Sequence, residues 1–163
     1  MNFRIIPLWI CGLIFLAGCR ISSSKEEIFQ TRLEQTPIGK AVPVSAIIKT
    51  PFDQICILYP YVDKLNESDP KSGKIDEFLV RRGYVADEGH WAFVWADKEK
   101  IAMIEVDRDQ DRDVLYEVEI TEDMKEKWPE TARLALCAKH DQAYLLKTKA
   151  DNRTYYSLVE IIE

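Results

Sequence analysis

The sequence predicts a mainly β protein: an antiparallel sandwich or small barrel of about seven or eight strands, with one or two short helices attached. Short apolar segments recur along the chain after residue 40, and several alternate apolar and polar residues with the period of a strand. Turn-forming polar residues separate these segments at regular intervals. The 163 residues are 47% hydrophobic and 31% charged, which is the composition of a folded globular domain.

The first predicted elements lie between residues 42 and 82. Apolar residues alternate over 42–48, and Pro43 indicates that this strand starts there or lies at a sheet edge. A short apolar run at 55–59 predicts a strand that is covered on both faces. Residues 74–82 are ambiguous, although their apolar positions have helical spacing and Gly83 is a suitable helix stop.

A hairpin is predicted next. Trp91, Phe93 and Trp95 form an aromatic stripe with strand period, a polar turn follows at 97–100, and residues 101–106 return. We expect the stripe to belong to the core, and a binding face is the alternative. The remaining predicted elements are strands at 114–120, 132–139, 143–148 and 155–162, a short helix at 122–128, and turns at 140–142 and 150–153.

The N-terminal segment has the pattern of an export signal. Arg4 is the only charge in the first 18 residues, and an apolar stretch covers residues 5–16. This stretch is shorter than the roughly 20 residues needed to cross a bilayer, and it fits the apolar core of a secretory signal. Residues 16–19 read Leu-Ala-Gly-Cys, which resembles the lipobox of bacterial lipoproteins at all four positions.

The resemblance to bacterial lipoproteins implies a division of the chain. The signal, residues 1–18, is cut between Gly18 and Cys19, and the Cys19 sulfur carries lipid. Residues 19–40 form the lipidated cysteine and a flexible tether, in which residues 25–30 are compatible with one helical turn, and residues 41–163 form a periplasmic β-rich domain. We therefore expect a protein of the cell envelope that is lipid-anchored and faces the periplasm. Since residue 20 is not Asp, the outer membrane is favoured.

Two cysteines remain once Cys11 leaves with the signal and Cys19 is lipidated. In an oxidising compartment, the pair Cys56 and Cys137 predicts a disulfide, and two separate buried thiols are the alternative.

The net charge is −6, and removal of Arg4 with the signal brings it to −7. This acidity argues against a nucleic-acid partner and favours a basic protein partner. The most concentrated acidic segment contains Asp107, Asp109, Asp111 and Asp113. Three interpretations stay open: a solvated connection, a recognition loop for a basic partner, or a calcium loop. Arg112 and Val118 occupy positions where a calcium loop needs glycine and glutamate, so we expect no metal.

Catalytic patterns are sparse. His90 lies near Glu88 and has two interpretations, a general base or a histidine at the start of a hairpin. The chain lacks the sequence motifs of serine hydrolases, phosphate-binding loops and zinc proteases, and it contains only six glycines. We predict a protein that is not an enzyme and that needs no cofactor.

A second resemblance follows from the order of the motifs. The lipobox, a polar segment, the Val-Pro-Val segment at 42–44, the strand around Cys56 and the Leu-Cys-Ala segment around Cys137 are similar to the type VI secretion immunity periplasmic lipoproteins of Gram-negative bacteria. This resemblance implies a binder that neutralises a toxin in the periplasm. Two alternatives remain: a structural or assembly lipoprotein of the envelope or of a secretion machine, and a lysozyme-type inhibitor.

Overall fold

The computed structural model describes residues 25–65, 70–115 and 128–161. Over these ranges the chain is mainly β, with nine strands in two sheets and three helices. The helices are α1 (Lys25–Glu34), α2 (Val44–Ile47) and α3 (Pro70–Arg82). The strands are β1 (Ala41–Pro43), β2 (Gln54–Leu58), β3 (His90–Ala96), β4 (Ile101–Asp107), β5 (Asp113–Val114), β6 (Ala132–Leu134), β7 (Cys137–Lys139), β8 (Ala143–Ala150) and β9 (Arg153–Ile161).

The two sheets are open, which decides between the two predicted architectures in favour of a sandwich. One sheet has the order β1-β8-β9-β5, with β6 beside the far end of β9, and the other has the order β4-β3-β2-β7. Between the described strands, pairing is antiparallel except for the short contact between β5 and β9. An isolated parallel bridge also joins Ile38 to Lys147. The sheets meet face to face over one apolar cluster, to which both contribute side chains.

The aromatic stripe of β3 lies in this central cluster, so the prediction of a core position is confirmed. Trp91, Phe93 and Trp95 are at most 6% exposed. The Trp91 ring lies edge-on to Phe93 at 5.3 Å and stacks on Tyr156 of the opposite sheet at 6.0 Å. Phe29 of α1 closes one side of the cluster, with its ring 5.9 Å from that of Phe93.

A second apolar layer lies between the four-stranded sheet and α3. Ile75 and Leu79 of the helix pack against alternate residues of β2 and β3, including the fully buried Cys56. The predicted disulfide is confirmed: Cys56 and Cys137 are bonded across the directly opposed positions of β2 and β7. Such a bond fits an extracytoplasmic protein. None of the helices that the structure describes has the length and apolarity needed to span a membrane.

Two predicted hairpins are confirmed with their turns. Between β3 and β4, the Asp97 carboxylate accepts hydrogen bonds from the backbone N–H groups of Glu99 and Lys100. Between β8 and β9, Asp151 and Asn152 have φ values of 47° and 62°, as in the two-residue turns that match strand twist. The helix suggested at 74–82 is also present, but it begins earlier, at Pro70, because proline suits the first turn of a helix.

Two strand predictions are corrected. The strand expected over 42–48 stops at Pro43, where the chain turns into α2 and buries Val44 and Ile47. The single strand expected over 132–139 is two strands in different sheets, because β6 pairs with β9 and β7 pairs with β2. The backbone N–H of Ala135 bonds to Leu158 of one sheet, and Leu136 accepts from Ile57 of the other, so the crossing occurs at these two residues.

The expected tether is also corrected over residues 25–40. This segment contains α1, whose Phe29 and Leu33 are at most 3% exposed in the central cluster. Only two apolar side chains one turn apart fasten the helix, so its sequence carries little amphipathic signal. The described residues do not include the predicted signal at 1–18, with Gly18, or the first part of the tether at 19–24, with Cys19. Residues 122–127 of the helix expected at 122–128 and residues 116–120 of the strand expected at 114–120 also lie outside them.

Candidate binding site at the loop end of the four-stranded sheet

Three loops meet at one end of the four-stranded sheet. Because neighbouring strands run antiparallel, the segments after β2, before β3 and after β4 emerge together. The described residues of these segments are 59–65, 83–89 and 108–112; together with Asp107, the last residue of β4, we call them the loop face. The backbone N–H of Arg108 bonds to the Gly89 carbonyl at 2.7 Å, which ties the second segment to the third.

The loop face presents a tyrosine in an unusual backbone conformation. Tyr61 has a φ of 65°, a region that side chains other than glycine rarely adopt, and the residue is 68% exposed. Its hydroxyl donates to Glu88 Oε2 at 3.0 Å, and this hydrogen bond is the main cause that raises the pKa of Tyr61. A large exposed aromatic ring is therefore held at both its backbone and its hydroxyl. Backbone strain of this kind clusters at functional sites.

His90 braces the base of the loop face. Its Nδ1 lies 2.8 Å from Asp87 Oδ1, its Nε2 lies 3.8 Å from Glu105 Oε2, and its side chain is 18% exposed. The Tyr84 ring packs edge-on against the imidazole, and burial, followed by the charges of Glu105 and Asp87, raises the pKa of Tyr84 to about 12. The sequence paired His90 with Glu88, but the structure gives it Asp87 and Glu105 instead. This position agrees with a histidine at a hairpin start.

The acidic segment separates into a buried part and an exposed part. Asp113 is 1% exposed, and its carboxylate accepts hydrogen bonds from Arg108 at 2.5 Å, from Arg153, and from the backbone N–H of Val114 at 2.9 Å. The expectation that Asp113 contacts a partner is therefore wrong. Its carboxylate is a buried counter-charge that joins β5 to β4 and β9, and its hydrogen bonds compensate the cost of burying it.

The other three carboxylates of this segment are exposed. Asp109 accepts from Arg112 at 3.0 and 2.5 Å and from the backbone N–H of Asp111 at 2.8 Å, and the bond to Arg112 is the main cause that lowers the pKa of Asp109. The Asp109 carboxylate is therefore exposed to solvent and also stabilises the conformation of the loop through these hydrogen bonds. Asp107 and Asp111 are exposed without such side-chain ion pairs among the described residues. The described residues contain no group of three or more His, Cys, Asp or Glu that could hold a metal ion.

The loop face is strongly acidic as a whole. Its exposed carboxylates are Asp63, Asp87, Glu88, Asp107, Asp109 and Asp111. The described residues of the three loops contain one exposed cation, Lys64, and two partly buried ones, Arg108 and Arg112, which form ion pairs with Asp113 and Asp109. The structure thus adds the first two loops to the acidic segment found in the sequence. Sequence reasoning missed Tyr61 because a positive φ at a residue other than glycine leaves no local sequence signal.

The orientation of α1 relates the loop face to the N-terminus. Lys25 and Glu26, at the start of α1, lie beside Trp95 and Ala102, near the β3–β4 turn. The last residue of the helix, Glu34, accepts a hydrogen bond from Lys147 at 2.6 Å and acts electrostatically on Arg112. The helix therefore runs from the opposite end of the sheet towards the loop face. The chain enters the described domain at the end farthest from Tyr61.

Comparison of this chain with protein-family models, with curated proteins and with solved structures finds no match.

Proposed function

We propose that this protein is a lipid-anchored envelope protein that binds and neutralises a basic enzyme in the periplasm, as an immunity protein against a type VI secretion toxin. The observation that carries the proposal is the loop face, where a restrained, exposed Tyr61 stands among six exposed carboxylates. Tyrosine is enriched at the centre of protein interfaces, because a rigid aromatic ring buries a large area at low entropic cost.

The charge of the loop face gives the proposal a mechanism. Carboxylates gathered at one end of the domain attract a basic partner over about a Debye length and orient it before contact. The ring of Tyr61 then enters the cleft of the partner, with its hydroxyl fixed on Glu88. Inhibition results because the loop face covers that cleft. No proton or covalent transfer by this protein is required.

The direction of α1 is consistent with a membrane anchor at Cys19. Six peptide steps separate Cys19 from Lys25, and an extended chain of that length reaches roughly 20 Å. An anchor there holds the entry end of the domain near the lipid, so that the loop face points into the periplasm. The acidic end and the anchored end are thus spatially separated, as a tethered inhibitor requires.

The proposal is tested by capture from a periplasmic extract with the chain from residue 20 onward. We expect one stoichiometric basic enzyme, inhibited in the complex, whose recovery falls with Tyr61→Ala. The matched charge variants are Asp107→Asn with Asp111→Asn on the loop face, and Glu99→Gln with Asp141→Asn at the other end of the sheet. Only the first pair should slow association. Recovery of scaffold proteins alone would favour an assembly lipoprotein. Capture of a lysozyme would instead favour a lysozyme-type inhibitor.

A further inference from the structure

Among the described residues, β4 is an edge strand of the four-stranded sheet. No described strand lies on the far side of β4, which covers Ile101–Asp107. Hydrogen bonds from Asp97 N–H to the Lys100 carbonyl and from Arg108 N–H to the Gly89 carbonyl fix the alternation of the β3–β4 ladder. Even-numbered residues of β4 therefore bond to β3, and the odd-numbered residues Ile101, Met103 and Glu105 turn their N–H and C=O groups outward.

A groove of about 430 Å³ runs beside this edge. Its walls are α1, the segment 47–50 and the first half of β4. The apolar residues of the lining include Phe29, Ile48, Trp95 and Ile104, and its charged residues are Lys25, Arg32 and Lys49 against Glu26. The groove is thus positively charged, although the chain as a whole carries −6.

We propose that the β4 edge and this groove bind an extended segment of another polypeptide, with apolar residues at its centre and acidic residues at its flanks. The segment adds a fifth strand to the sheet through the outward backbone groups of Met103 and Glu105. Alternate side chains of that strand enter the groove over Ile104, and its acidic flanks meet Lys25 and Lys49. This surface is separate from the loop face and needs a second partner.

A second copy of this chain fits the edge poorly. In an antiparallel pair, the two residues directly opposite one another place their side chains on the same face of the sheet. If a two-fold axis relates two copies of β4, this condition requires the axis to lie at a residue position and not between two residues. Each central register then places like charges directly opposite one another, which destabilises the pairing. An axis at residue 102 opposes Glu99 and Glu105, and an axis at residue 103 opposes Glu99 and Asp107. An axis at residue 104 opposes Lys100 and Arg108, and an axis at residue 105 opposes Glu105 and its own copy.

The test uses the protein as purified in detergent and a capped, fluorescent synthetic peptide with a valine–threonine centre and glutamate flanks. Met103→Pro removes one outward N–H group, and Met103→Ala is the control that keeps it. We expect fluorescence anisotropy to show saturable binding, weakened about tenfold or more by Met103→Pro and little by Met103→Ala. Lys25→Glu with Lys49→Glu should weaken binding as well, and salt should reduce the difference between these variants and the parent.

A second measurement leaves the protein unchanged in case Met103→Pro fails to fold. Two versions of the peptide are made, each N-methylated on every second backbone amide, in opposite alternation. In each version, only the amides that are not methylated can donate hydrogen bonds to β4. We expect one version to lose binding and the other to retain it. The proposal would be overturned if both methylated versions lost binding equally, or if a lysine-flanked peptide bound as tightly as the glutamate-flanked one. It would also be overturned by a dimer that Met103→Pro dissociates, since the edge would then bind a second copy of the chain. Capture of the periplasmic enzyme through the loop face should not change with Met103→Pro.

Discussion

Removal of the disulfide should cost this protein a large part of its stability. The perturbation is the double substitution Cys56→Ala with Cys137→Ala, which keeps the layer under α3 apolar. The bonded residues are 81 positions apart. For a closed loop of that length, the chain-entropy relation gives a loss of about 4.5 kcal/mol. Since domains of this size have an unfolding free energy of about 5–15 kcal/mol, the variant should be marginal at 37 °C.

The structure adds a local reason for a large effect. Strand β7 has only three residues and pairs with β2 at three positions, one of which is the disulfide itself. Cys56 is fully buried, so truncating both sulfur atoms also leaves a small cavity, which adds to the loss. We expect β7 to loosen first, because an edge strand this short has little else to hold it.

The assay is equilibrium urea unfolding followed by tryptophan fluorescence. Wild-type protein reduced in the same buffer is the control, since it loses the cross-link without losing sulfur atoms. We expect both to unfold at much lower urea, with a larger m-value because the unfolded chain is no longer cross-linked. A loss below about 1 kcal/mol in both samples would show that the bond does not stabilise the protein by restraining a long loop.

Three further predictions concern single residues. Asp113→Asn should lower the unfolding free energy by about 3 kcal/mol in urea titrations, at the low end for a broken buried pair because Arg108 and Arg153 are partly exposed. An effect near zero would contradict its assigned role. Tyr61→Gly should relieve backbone strain, so the midpoint of thermal unfolding should not fall, while partner binding is lost in the same preparation. Tyr84 has a pKa raised from 10.0 to about 12, so its protonated form contributes stability below pH 10 that is lost as the pH rises towards 12. Tyr84→Phe should flatten that alkaline decline in unfolding experiments, and an unchanged slope would contradict the assignment.

Much of the sandwich could be predicted because its longest strands carry their own signal. The hairpins β3–β4 and β8–β9 have alternating or apolar strands and turns with suitable chemistry, so local sequence and tertiary fold agree. The cysteine pair was predictable for a different reason, since the export and lipidation predicted from the N-terminal segment would leave two cysteines for one bond. These features depend on neighbours in sequence or on simple counting.

The rest of the fold depends on contacts that no local pattern contains. The split of residues 132–139 between two sheets follows from which strands they meet, since each half looks like an ordinary strand. α1 is fixed by the buried side chains of Phe29 and Leu33 and by hydrogen bonds from Arg32 to the Ile47 carbonyl and from Lys147 to the Glu34 carbonyl, so tertiary contacts decide its structure. Asp113 illustrates the same point at the candidate site. In sequence it is one of four similar acids, and its contacts with Arg108 and with Arg153 of β9 make it a buried counter-charge.

Hydrogen-exchange mass spectrometry can locate the surface that binds the proposed partner. Amide exchange is compared between the free domain and the same domain in complex with the basic enzyme that we propose as its partner. We expect new protection in residues 59–65, 83–89 and 107–112, strongest next to Tyr61. Protection elsewhere, with these three segments exchanging as fast as in the free domain, would exclude the loop face as the binding surface.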